Sequence, residues 1–262
     1  MYLAEQLVEE ENKDMIKGFD WYLLPVLNPD GYEYSHKTHR LWRKTRSKTS
    51  NPFCDGVDLN RNFGFHWMEG GASGNPCSEV YAGREPFSEP ESRAMRDFLQ
   101  TKMPNVKGFL TFHSYGQLVL SPWGYTKTLP EDHDELVRMA SIYTSAVASE
   151  NNIRYTVGST SNELYIASGG SDDWAKGVAG IPYAYTVELR DTGRNGFLLP
   201  SSQIIPVGRE TWSGLRAFTK ELDRLANQGN IRLELGRNDP EPSPGQMGKS
   251  ANPRFSSKVS LP

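Results

Sequence analysis

Cysteine is nearly absent. The 262 residues hold two, Cys54 and Cys77, too few for a structural zinc cluster on their own and enough to close one disulfide loop. A basic excess is missing as well: 29 Lys and Arg stand against 32 Asp and Glu, for a net charge of −3. Without that excess there is little to track a phosphate backbone, which argues against a nucleic-acid partner. No apolar run approaches the roughly 20 residues of a membrane span, so no membrane partner is expected. The opening MYLAEQLVEEENK has no basic stretch followed by an apolar one, and no signal peptide is visible in it. No G-x-S-x-G occurs, which leaves a serine-hydrolase elbow unsupported. What is present is a composition of 37% apolar and 23% charged residues, that of a folded globular chain long enough for a sizeable core.

Leu3, Leu7 and Val8 interleaved with Glu5, Glu9 and Glu10 read as an amphipathic helix that starts without a capping residue. The β-prone run FDWYLLPVL (19–27) reads as a buried strand, followed by turn chemistry in Asn28-Pro29-Asp30-Gly31. Residues 31–87 show little periodicity and read as a long loop region, of the kind that carries function. From Ser88 helices and strands alternate. Ser88 and Glu91 form a capping-box pattern ahead of Met95, Phe98 and Leu99. A strand is predicted over 106–112, ending at His113, and a helix over 131–150. A further strand covers 181–187, ending at Glu188, and a last helix covers 206–226. Such alternation predicts an α/β fold: a mixed, mostly parallel sheet with helices on both faces. Residues 1–226 read as one domain. The Gly-, Pro- and Ser-rich stretch 227–262 cannot bury enough surface to fold and reads as a disordered tail.

Several motifs have plainer explanations. GQMGKS near the end lacks the first glycine of a phosphate loop, where Ser243 stands, and no strand precedes it. His36 and His39 lie in a polar, irregular run and read as solvent-facing. His66 and Glu69 have a metal-ligand spacing, but two glycines follow at once and no strand leads in. His113 and Glu188 stand at the carboxyl ends of strands, where α/β folds place chemistry. By residue type they suit a zinc ligand and a general base. Equally, such a His caps backbone in many proteins, and such a Glu pairs with a nearby Arg such as Arg190.

The segments NPDGYEYSHKTHRLWRKTRS, CDGVDLNRNF, PCSEVYAG, FHSYGQLVLSPWGY, SGGSDDWA and ELRDTGRNGFLLP resemble, in order and spacing, the zinc carboxypeptidase A/B family. The resemblance covers residues 1 to about 225. It implies a zinc-peptidase-like fold and a metallocarboxypeptidase, a hydrolase that removes single residues from peptide and protein C-termini. Its cofactor would be one zinc ion, with His113 as a ligand. The resemblance makes Glu188 the general base and Arg43 the stabiliser of the oxyanion. Asn60, Arg61 and Tyr165 would bind the substrate's terminal carboxylate, and Cys54 and Cys77 match the family's disulfide. The Ser114–Tyr115 bond falls at a cis peptide of the family. These roles are chemically apt, since a guanidinium grips a carboxylate bidentately and an internal peptide bond offers no such carboxylate. Asp172 falls where B-type members carry Asp and A-type members an apolar residue. That implies selection of C-terminal Lys or Arg, the plainer reading being a helix-start acid favoured by the dipole.

The family's early H-x-x-E is absent, so only one of three protein zinc ligands is found. By the family's spacing that motif would fall ahead of Met1. His66 and Glu69 cannot replace it, because they follow the N-R-N segment. The first strands of the family's sheet would be missing too, exposing apolar edges beside 19–27 and 181–187. Three readings follow: an N-terminally incomplete form of an active enzyme, a short form that binds C-terminal peptides without cutting them, or a structural or inhibitory relative with no peptide affinity. The 262-residue chain itself is expected to be inactive, because a catalytic zinc needs three protein ligands. The disulfide pair implies an oxidising compartment and a secreted parent protein, expected to be a monomer.

Overall fold

In the computed structural model, residues 1–228 are described, and the stretch read as a tail lies outside them from residue 229 on, GQMGKS included. The order of elements among the described residues is α1 (Tyr2–Val8), α2 (Asp14–Lys17), α3 (Pro29–Lys37), α4 (Pro90–Lys102), β1 (Gly108–Ser114), β2 (Leu118–Ser121), α5 (His133–Asn151), β3 (Thr156–Ser159), α6 (Thr160–Glu163), α7 (Ser171–Gly177), β4 (Tyr183–Leu189) and α8 (Ile204–Asn227). The strands form one sheet in the order β1-β4-β2-β3. β1 runs parallel to β4 and β2 parallel to β3, while β2 and β4 are antiparallel. The expected mixed, mostly parallel sheet is therefore present.

Side-chain alternation along the strands builds two layers. Tyr183, Tyr185 and Val187 of β4 enter a cluster with Leu136, Met139 and Tyr143 of α5 and Phe218, Leu222 and Leu225 of α8. Ala184, between them, enters the opposite cluster with Leu99 of α4, Trp174 of α7 and Phe63. Trp212 and Leu215, further back on the same stripe of α8, close a third cluster on Leu7 and Met15. The stripe follows from helical spacing, and truncating one such residue, Phe218 for instance, costs about 3–5 kcal/mol.

Four local expectations are corrected. The run 19–27 is not a strand: Phe19 and Trp21 pack inward, but Tyr22, Leu23, Leu24 and Val26 stay exposed. Extended backbone becomes a strand only against a partner, and among the described residues none adjoins it. Nor is the 181–187 region an edge, since β4 is flanked by β1 and β2. The Asn28-Pro29-Asp30-Gly31 segment opens a helix rather than a turn. Asn28 Oδ1 accepts from Gly31 N at 2.9 Å and Pro29 fills the first helical position. The capping box at Ser88 does not form. α4 begins at Pro90, and the Ser88 hydroxyl donates to Glu89 Oε1 at 3.0 Å instead. The short β2 and β3 were not anticipated. Of the expected loop region 31–87, residues 31–37 are helical in α3; most of the rest is irregular, as expected, apart from a 3₁₀ turn at Leu59–Arg61, and Cys54 is joined to Cys77.

Candidate active site

The period of two that sends Tyr185 and Val187 into the core turns Thr186 and Glu188 to the other face. On β1, Leu110 packs with the same core while Thr111 and His113 take the opposite parity. The parallel register sets His113 beside Glu188 and Thr111 beside Thr186. His113 Nε2 and Thr111 Oγ1 are 3.0 Å apart. Burial, and then the charges of Arg43 and Arg61, push the His113 imidazole down to about 4, so it is neutral at pH 7. Burial pushes Glu188 up to about 7, against the pull of Arg43 and with a push from Asp172. Its Oε2 is buried without a hydrogen-bond partner among the described residues.

The irregular segment between α3 and α4 supplies the positive charges. Arg43 reaches Asp58 Oδ2 with Nε at 3.0 Å and Nη2 at 2.9 Å. Burial works against the Arg43 charge, but Asp58 outweighs it, with Tyr165 and Glu188 adding in the same direction, so its pKa rises. Asp58 Oδ1 also accepts from Asn60 N at 3.2 Å, which caps the 3₁₀ turn carrying Asn60 and Arg61. Arg61 is buried, donating from Nε to Gly71 O at 3.0 Å and from Nη1 to Asn60 O at 2.7 Å. Its guanidinium carbon lies 6.0 Å from the ring centre of Tyr165, whose side chain is exposed. Gly169 is forced here: its φ is +73°, and a Cβ would sit 2.4 Å from Arg61 O.

Asn60 Oδ1 accepts from Ser171 N at 3.0 Å, fastening the turn to the start of α7. The twin acids that follow differ. Asp173 accepts from Gly124 N at 2.9 Å and from Tyr125 N at 3.0 Å, a purely structural arrangement. Asp172 is 4% exposed and keeps Oδ2 buried with no partner among the described residues. Burial raises its pKa, opposed by hydrogen bonds from backbone and Thr186 and by the charge of Arg61.

Arg43, Asn60, Arg61, His113, Asp172 and Glu188 thus interact in one region, each within reach of another's hydrogen bonds or charge. Glu188 does not pair with Arg190, which is held by Glu210 through Nε at 2.9 and 3.0 Å. The Cys54–Cys77 bond closes the loop that contains Asn60 and Arg61. The Ser114–Tyr115 bond is cis. His66 binds Glu69 through Nδ1 at 2.8 Å and stacks on Tyr125 at 3.6 Å, and His36 and His39 lie edge-on to Tyr32 and Trp42. Asp58, Thr111 and Thr186 were overlooked. The two threonines stand two residues before a strand-end site residue, and Asp58 two before Asn60.

A zinc ion implied by the resemblance requires three protein donors. Among the described residues no group of three or more His, Cys, Asp or Glu is placed to hold a metal. His113 alone does not fit such an ion.

A sequence model of the zinc carboxypeptidase family matches residues 1–214. Carboxypeptidase B of Astacus astacus is 52% identical over 204 residues, 78% of this chain and 67% of its own length. Carboxypeptidase O of Bos taurus is 48% identical over 197 residues, 75% of this chain and 52% of that protein, so the chain spans about half of that relative. Among solved structures, bovine thrombin-activatable fibrinolysis inhibitor in complex with tick carboxypeptidase inhibitor superposes with a TM-score of 0.82 at 41% identity. That match covers 85% of this chain and 77% of that one.

Proposed function

The chain belongs to the zinc carboxypeptidase family, and from that premise we propose that its site receives the C-terminal residue of peptides and proteins, with Lys or Arg preferred. Arg61, Asn60 and Tyr165 grip the terminal carboxylate, Arg61 through guanidinium donors left over from its backbone bonds. Asp172 receives the side-chain cation. One observation carries the Lys/Arg reading: the buried Asp172 Oδ2 has no partner among the described residues, a cost that backbone amides, Thr186 and Arg61 offset only in part and that an arriving cation would remove. An apolar guest would leave that cost in place.

Glu188 and Arg43 complete the constellation of a peptide hydrolase, a general base and an oxyanion-binding guanidinium. Family chemistry also draws on zinc, which supplies Lewis acidity when three donors hold it. Among the described residues His113 is the one such donor placed at the site. The 262-residue polypeptide therefore binds C-termini without hydrolysing them, and a form of the protein supplying two more donors beside His113 would cut. The joined Cys54 and Cys77 support an oxidising, extracellular setting.

The test is fluorescence anisotropy with a labelled peptide ending in Lys, the same peptide amidated, and the same peptide ending in Leu. Loss of either charge contact should weaken binding about tenfold or more. Asp172→Leu should erase the preference for Lys over Leu. Equal affinity for the free and amidated peptides would refute carboxylate recognition. An unchanged Lys preference in the variant would refute the role of Asp172.

A further inference from the structure

Asp58 is 3% exposed, and its backbone N donates to Tyr81 O at 2.8 Å, so main chain and side chain are both fixed. The two carboxylate oxygens divide their duties. Oδ2 takes Nε and Nη2 of Arg43, at 3.0 and 2.9 Å. Oδ1 takes Asn60 N, at 3.2 Å, and so sets the turn that ends at Arg61. A guanidinium has five N–H donors in a rigid plane. The Nε–H hydrogen bond and the Nη2 ion contact, both on one Asp58 oxygen, fix the plane and leave the other N–H groups for an incoming oxygen. Without that hold the side chain, 40% exposed, would sample solvent rotamers.

We propose that Asp58 is a positioning residue. One buried carboxylate aims the Arg43 fork at a developing oxyanion and, through the capped turn, keeps Asn60 and Arg61 on the terminal carboxylate. This rests on the peptide-end reading of the site given above. It adds that the two anion-binding parts of the site are tied to each other through a single side chain. Asparagine at this position can still cap the turn with its oxygen. Its NH₂ then faces the guanidinium, donor against donor, and the fork is released.

The experiment compares wild type, Asp58→Asn and Asp58→Ala on two ligands. One is a Lys-ended peptide. The other is its phosphonate analogue, which carries an anionic tetrahedral group in place of the last peptide bond. In Asp58→Asn, peptide affinity should stay within about threefold while phosphonate affinity falls about tenfold or more. Asp58→Ala should lose affinity for both. Should the alanine chain not fold, the asparagine variant carries the test alone. Equal phosphonate binding by Asp58→Asn and wild type would overturn the proposal, leaving Asp58 a turn cap only.

A ligand-free readout separates this proposal from the reading it rests on. In a ¹⁵N–¹H spectrum, the Arg43 Nε–H of wild type should be resolved and slow to exchange, and it should vanish in Asp58→Asn. If wild type binds neither ligand, the peptide-end reading fails, and the spectrum still decides the hold on Arg43. An Nε–H signal unchanged by the substitution would contradict it.

Discussion

Glu188 shows how much of a residue's role is set by what surrounds it. The side chain sits at a strand end, a position readable from sequence. Its pKa near 7, however, comes from burial that the sequence does not display. The sign of the consequence follows from proton linkage. The ordinary value is 4.5, so between pH 4.5 and 7 the folded chain holds a proton that the unfolded chain has released. Folding stability contributed by this group therefore falls as pH rises through that window. His113 acts the other way: its value of about 4 against an ordinary 6.5 removes stability as pH drops below 6.5. Urea unfolding at pH 5 and pH 8 isolates the Glu188 part. From pH 5 to pH 8, wild type should lose more stability than Glu188→Gln, and an equal or smaller loss would contradict the burial. At this scale the sequence resemblance named Arg43, Asn60, Arg61, His113, Asp172 and Glu188, which the fold brings together. It did not reveal that Asp172 keeps one oxygen without a partner among the described residues while Asp173 is consumed by two backbone amides. Both are acids at the start of a helix, and only the packing of Gly124 and Tyr125 separates them.

Among the elements, β4 and α8 are joined where the site residue Glu188 emerges. Two residues on, Arg190 is clamped by the fully buried Glu210 of α8, which also accepts from Tyr155 OH at 3.2 Å and Asn151 Nδ2 at 3.4 Å. Gln203 takes Nη1 of the same arginine at 2.8 Å. Removing one partner of a buried ion pair strands the other. Glu210→Ala should therefore destabilise the fold by about 3–5 kcal/mol, measured by urea unfolding. A loss under about 1 kcal/mol would mean that the pair behaves as a surface one. Long periodic elements were legible. The stripes of α5 and α8, and the strands that end in His113 and Glu188, lie within a few residues of their expected places. What failed were readings that depend on a partner elsewhere. The run 19–27 has every propensity for a strand and no neighbour to pair with, and β2 and β3, four residues each, are strands only because each has one. Asn28-Pro29 is equally good chemistry for a turn and for a helix start, and the contact of Asn28 Nδ2 with Lys44 O, at 3.0 Å, belongs to the helix.

For the molecule as a whole, two sets of groups stand side by side. The set proposed to recognise a peptide end lies together: Arg61 and Asn60 on a capped turn, Tyr165 at 6.0 Å from the Arg61 guanidinium, and Asp172 with one buried oxygen that has no partner among the described residues. The set that would hold a catalytic metal is represented by His113, with no group of three donors among the described residues. On the proposed reading binding and cutting are separable in this polypeptide, and the account stands on that separation. Purified residues 1–262, given equimolar zinc and a peptide ending in Lys, should bind the peptide, and mass spectrometry should recover it at full length after prolonged incubation. Steady release of free lysine, abolished by a chelator, would contradict the account.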